Sequence, residues 1–177
     1  TLRPGQAIQK LVEGPYIYAI AGFARKGDRL IYTRENFNEF RDLWTSNERF
    51  GDSLKLTNAN PQQADYKWGS VELFKWTDFN GNECEGLLHF PEDYDPSKPY
   101  PTIVYFYEVQ TFLKYRYNTP SPSRSIINPV YCTSNDYIVF IPDIKYRDGF
   151  PAKSCYDVVV SGTMALIDRG IADKNRI

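Results

Sequence analysis

Along the first third of the chain, apolar and polar positions alternate and turn signals recur often. Residues 16–24 (YIYAIAGFA) and 29–35 (RLIYTRE) read as strands joined by the turn RKGD. ENFNEF leads to a third strand at 41–46 (RDLWTS), NERFGD is a turn, and LKLTN (54–58) is a short fourth strand. Four short strands in succession predict an antiparallel β meander, enough for one blade of a propeller. The sequence holds no second copy of such a repeat.

From residue 58 the texture changes. NANPQQADYKWG (58–69) is polar and carries Pro61 and Gly69, which predicts a boundary. SVELFKWTD and ECEGLLHFP then flank FNGN, whose Asn80-Gly81 pair signals a hairpin turn. TIVYFY (102–107) and NDYIVFIPD (135–143) are continuous apolar, β-branched runs, as expected of strands buried on both faces of a parallel sheet. The long stretch between them (108–135) is expected to be functional or to hold a short helix of its own. Residues 155–169 (CYDVVVSGTMALIDR) show helical spacing, with Ser154 as N-cap and Gly170 closing the end. The sum is an α/β domain, the first half of a mixed sheet, preceded by a β-rich part.

Composition adds limits. At 177 residues the chain fits one ordinary domain or two partial ones, and 42% hydrophobic residues suffice for a core. The net charge of −1 gives no electrostatic reason to expect a nucleic-acid partner. No apolar run reaches 18 residues, so no membrane span is expected. Aromatic residues make up 16% of the chain, which favours pleated surfaces. The opening TLRPGQ has neither an initiating Met nor a signal-peptide core. Arg176-Ile177 reads as the start of another strand, so a longer parent protein is expected.

The residues that could carry chemistry are few. His89, the only histidine, falls mid-strand in a hairpin and reads as structural. Cys84, Cys132 and Cys155 are scattered, lack metal-ligand spacing and read as unreactive thiols. No G-x-S-x-G elbow, GxGxxG, Walker or HExxH pattern occurs. Ser161 falls inside the helix and reads, like Ser154, as structural. No cofactor is expected.

An ordered series of segments nevertheless resembles the prolyl oligopeptidase family of serine peptidases, particularly its dipeptidyl- and acylaminoacyl-peptidase branches. NANPQ and WGSVELFKWTDFNGNECEGLLHFPEDYDPSKPYP resemble the family's passage from the last propeller blade into its hydrolase domain. TIVYFYE resembles the strand with the oxyanion-hole tyrosine, and NDYIVFIPDIKYRDGFPAKS the strand and loop that follow. GIADKNRI resembles the lead-in to G-x-S-x-G.

The resemblance implies that residues 1–66 are about one propeller blade and 67–177 the first half of an α/β-hydrolase domain. It implies a parent enzyme that hydrolyses short peptides with a Ser-His-Asp triad, and an isolated chain that lacks the triad and is inactive. One catalytic role is carried onto this sequence: Tyr107 as oxyanion donor. Glu108 and Val109 depart from the glycines often found after that tyrosine. The partners implied are a peptide substrate and the remainder of the hydrolase domain, with homo-oligomerisation left open. The compartments implied are those of secreted and periplasmic bacterial members. The competing reading is a non-catalytic interaction module, motivated by the aromatic run YFYEVQTFLKYRY (105–117).

Overall fold

The computed structural model describes residues 7–121 and 126–177; the TLRPGQ opening and positions 122–125 of the long crossover lie outside the described residues. The first sheet holds β1 (Ile17–Phe23), β2 (Arg29–Glu35), β3 (Asp42–Asn47) and β4 (Leu54–Lys55), antiparallel and neighbouring in chain order. Alternation along β2 puts Leu30 and Tyr32 on one face, where Phe50 packs edge-on against Tyr32. The Arg34 guanidinium lies between the Tyr16 and Trp44 rings, 4.2 and 3.8 Å from their centroids, and pairs with Glu39.

β4 is shorter than the predicted 54–58: after a last bond from the Leu56 N–H to the Leu43 carbonyl, the chain turns to serve a buried carboxylate. Thr57 Oγ1 and the Ala59 N–H both donate to Asp42, at 2.6 and 2.8 Å, and Lys55 pairs with the same group. The segment predicted as a boundary is packed: Pro61–Asp65 forms a 3-10 turn, and Trp68 is buried. The Trp68 indole N–H donates to the Phe37 carbonyl at 2.6 Å, and its ring stacks on Tyr117.

The second sheet contains β5 (Ser70–Thr77), β6 (Glu83–Phe90), β7 (Thr102–Val104) and β8 (Ile138–Pro142) in the order β5-β6-β8-β7. β5, β6 and β8 pair antiparallel, and β7 runs parallel to β8. The hairpin between β5 and β6 turns where Asn80-Gly81 predicts it, with the Asp78 carboxylate accepting the amides of Asn80 and Asn82. Gly81 sits at φ 82°, which its lack of a side chain permits.

The predicted strand 102–107 pairs only as far as Val104, with a last bond from Tyr105 N–H to the Phe140 carbonyl; beyond it the chain turns away as a loop. The crossover holds a 3-10 turn at Thr111–Leu113 and the short α1 (Pro129–Thr133), capped by Asn128. After α2 (Pro151–Asp168), Ala172 forms a parallel bridge with Tyr100, and the Thr102 N–H donates to the Arg176 carbonyl at 2.9 Å. The last residues thus run beside the lead into β7.

Helix α2 begins four residues before the predicted start, and Ser154 is not its N-cap. Pro151 opens the helix, since its fixed φ is already helical and its missing N–H would have been an orphan there. The Ser154 hydroxyl instead donates to the Phe150 carbonyl and accepts the Arg147 N–H, at 2.9 and 3.0 Å. The C-terminal end follows the sequence: Gly170 at φ 72° donates to Ile167, and Ile171 to Leu166.

Val158 and Leu166 of α2 close over Phe74, Trp76, Leu88, Ile138 and Phe140 to form the main core. Gly162 faces the tightest point of that contact. A Cβ there would lie 2.8 Å from Phe140 Cζ and 2.9 Å from Trp76 Cε2, both on side chains held in the core. Gly162→Ala is therefore expected to destabilise by about 1–2 kcal/mol, overpacking outweighing the helix-propensity gain. Urea-unfolding midpoints of the two proteins test this.

Candidate functional site

β8 is buried along its whole length, so the residue that follows it, Asp143, leaves the sheet at a fixed point. Its N–H donates to the Glu85 carbonyl on β6 at 2.9 Å. Its buried carboxylate accepts the N–H groups of Gln110 and Thr111 at 2.6 and 3.0 Å, and the Thr111 hydroxyl at 2.5 Å. Two further contacts join the same segments: Ile144 N–H to the Glu108 carbonyl, and Tyr146 hydroxyl to the Tyr107 carbonyl at 2.7 Å. The loop after β7 is thereby tied to the chain after β8, at the carboxyl end of the parallel pair. Ligand sites of open α/β sheets lie at that edge.

Tyr107 projects from this loop. The residue is 69% exposed, and its hydroxyl makes no hydrogen bond among the described residues. A free phenol on a backbone held by the sheet can donate to an oxygen presented from outside. Glu108 and Val109, which depart from the family's glycines, sit at backbone angles open to L side chains, since neither is among the residues with positive φ. Asp143 and Tyr146 lie within the segment NDYIVFIPDIKYRDGFPAKS that carries the resemblance, but the motif reading gives neither a role; the available signal is an Asp directly after the buried run IVFIP.

The other candidates are structural. His89 is buried on β6 opposite Val71 and Val139, with its ring 5.2 Å from Phe37 and both ring nitrogens unpartnered. Desolvation pushes it down to about 3, so it is neutral at pH 7. All three cysteines are free thiols pushed up by burial, the opposite of an activated nucleophile. The Ser161 hydroxyl donates to the Asp157 carbonyl and accepts the Trp76 indole N–H.

A cavity of about 610 Å³ beside Trp68, Tyr117 and Phe40 is lined mainly by apolar surface, and in its wall Asn60 donates to the Tyr117 hydroxyl. Among the described residues no three His, Cys, Asp or Glu converge as a metal-binding group, and no helix is long and apolar enough to cross a membrane.

No protein-family model matches the chain. In sequence it is 26% identical over 151 residues to dipeptidyl-peptidase 5 of Porphyromonas endodontalis, covering 81% of this chain and 20% of that protein. In fold it resembles dipeptidyl peptidase 4 of Porphyromonas gingivalis, with TM-score 0.66, 17% identity, and coverage of 96% of this chain and 25% of the other. It also resembles the acylaminoacyl peptidase of Pyrococcus horikoshii, with TM-score 0.60, 18% identity and coverage of 97% and 28%. The chain is thus similar, in sequence to the first and in fold to the others, to peptidases of the prolyl oligopeptidase family, and it spans 20–28% of these relatives' length.

Proposed function

We propose that this chain is the junction segment of a serine peptidase that hydrolyses short peptides. Residues 1–66 would then supply about one propeller blade and 67–177 the first half of an α/β-hydrolase domain. Tyr107 is the oxyanion donor in this reading: its hydroxyl strengthens a hydrogen bond to the substrate carbonyl oxygen as that oxygen gains charge. A donor already in place is worth most at that moment, because little reorganisation is needed.

The observation that supports the reading is the location of Tyr107, free and exposed on a loop anchored at the carboxyl edge of the parallel pair. The likeness to dipeptidyl-peptidase 5 gives it a chemistry. No residue of this chain is assigned as nucleophile, acid or base, so the oxyanion donor alone faces a bond that nothing attacks.

Chromogenic dipeptide anilides test the proposal. The complete protein is expected to release the chromophore, with a fluorophosphonate blocking it, and the purified 177-residue chain to give none above buffer. Failure of the complete protein to cleave any of them would sink the peptidase reading. Fluorophosphonate-sensitive turnover by the chain alone would sink the claim that it is inactive. The interaction-module reading rests on the exposed Phe106 and Phe112 of the same loop region, and self-association on size-exclusion chromatography would favour it.

A further inference from the structure

We propose that Asp143 is the positioning residue of the Tyr107 loop, holding the oxyanion donor in register with the end of the sheet. This inference rests on the proposed role of Tyr107. The loop has little else to hold it. Phe106 is 43% exposed, Tyr107 69% and Phe112 70%, so apolar burial does not fix the path of the backbone between them. The fixing is polar, and the bonds come from residues 143–146. Asp143 takes three donors, Ile144 bonds the Glu108 carbonyl, and Tyr146 bonds the Tyr107 carbonyl.

The chemical type of residue 143 matters for this task. A carboxylate only accepts, and here it meets two N–H groups and one O–H from the loop. Charge-assisted bonds of this kind are roughly twice as strong as neutral ones. An amide of the same shape keeps one acceptor oxygen but loses the charge, and its NH2 group can meet the Thr111 hydroxyl only by reversing that bond. The anchor point is itself rigid, since the Asp143 N–H is bonded to β6 and the residue follows a strand buried along its length. Tyr107 lies three residues before Gln110, the first residue clamped by the carboxylate. A loosened clamp leaves the phenol present and displaces it, and a displacement of about 1 Å can cost about 100-fold in rate.

The test is a mutant cycle in the complete enzyme, with kcat and KM measured on a chromogenic peptide and amide exchange followed in the same proteins. Asp143→Asn is expected to lower kcat by about tenfold or more with KM nearly constant, and Thr111→Val to do the same more weakly. On a Tyr107→Phe background, Asp143→Asn is expected to add less than about twofold, because its effect passes through the missing hydroxyl. Exchange at Gln110 and Thr111 should accelerate by about tenfold while β6 and β8 are unchanged.

Full additivity of the two substitutions, or unaltered exchange in both Asp143→Asn and Thr111→Val, would overturn the proposal. An unchanged kcat in Tyr107→Phe alone would instead remove the oxyanion reading, and with it the catalytic half of this inference. The clamp itself would then stand or fall on exchange.

Discussion

Taking the protein from pH 7 to pH 5 is expected to remove about 2 kcal/mol of folding stability through His89 alone. The ring is buried, has no hydrogen-bond partner at either nitrogen, and is pushed from 6.5 to about 3 by desolvation, with no charged group contributing. Unfolding frees it to titrate near its ordinary value. Between about pH 6.5 and pH 3 the unfolded state therefore binds a proton that the folded state refuses, and stability falls as pH falls. Full extent is the whole depression, about 5 kcal/mol at 1.36 kcal/mol per pKa unit.

The buried carboxylates act in a separate window. Burial pushes the Asp42 carboxyl up, but the Ala59 N–H, Lys55 and Thr57 outweigh it and hold it below 3.8. Its contribution is present above that value and is lost only as pH falls through its lower folded pKa. Urea midpoints measured at pH 7, 6, 5 and 4 separate the two. His89→Leu fills a similar volume without orphan nitrogens, so it should raise stability by about 1–3 kcal/mol at pH 7. It should also flatten the profile down to pH 4. Parallel profiles for the two proteins would show that His89 finds a partner in solution.

The location of His89 on a hairpin strand was legible in the sequence, and so was its structural role. The polarity of its surroundings was not, because Phe37 comes from the connection between β2 and β3, more than fifty positions away. The same division runs through the fold. Strand β2 and the hairpin turn follow local alternation and turn chemistry, and they occur where the pattern puts them. β4 and β7 are shorter than their predicted runs, and the chain just beyond each bonds distant residues: Thr57 and Ala59 donate to Asp42, and Tyr107 and Glu108 accept from Tyr146 and Ile144. Helix α2 was misplaced at its start because Ser154 looked like a cap, whereas Pro151, already in the sequence, sets the helical φ. At the site, Tyr107 was reached by resemblance. What holds it could not be reached that way, since Asp143 bonds residues more than thirty positions earlier.

On the proposed oxyanion reading, Tyr107→Phe in the complete protein is expected to lower kcat on a peptide substrate by about 10²–10³-fold, the loss typical of one oxyanion donor. The substitution removes one hydroxyl and keeps the ring. That hydroxyl makes no hydrogen bond among the described residues and belongs to a residue 69% exposed, so the fold loses nothing with it. The thermal midpoint should therefore stay within the scatter of surface substitutions, about 0.5 kcal/mol. KM should change little, because a neutral ground-state carbonyl accepts a weaker hydrogen bond than the charged oxygen it becomes. The combination of a large kcat loss, a constant KM and an unchanged midpoint separates transition-state donation from packing. A packing role for Tyr107 would instead leave kcat within about threefold of the parent or spread the loss into KM and stability. Either result would return Tyr107 to the surface aromatics of its loop, beside Phe106 and Phe112.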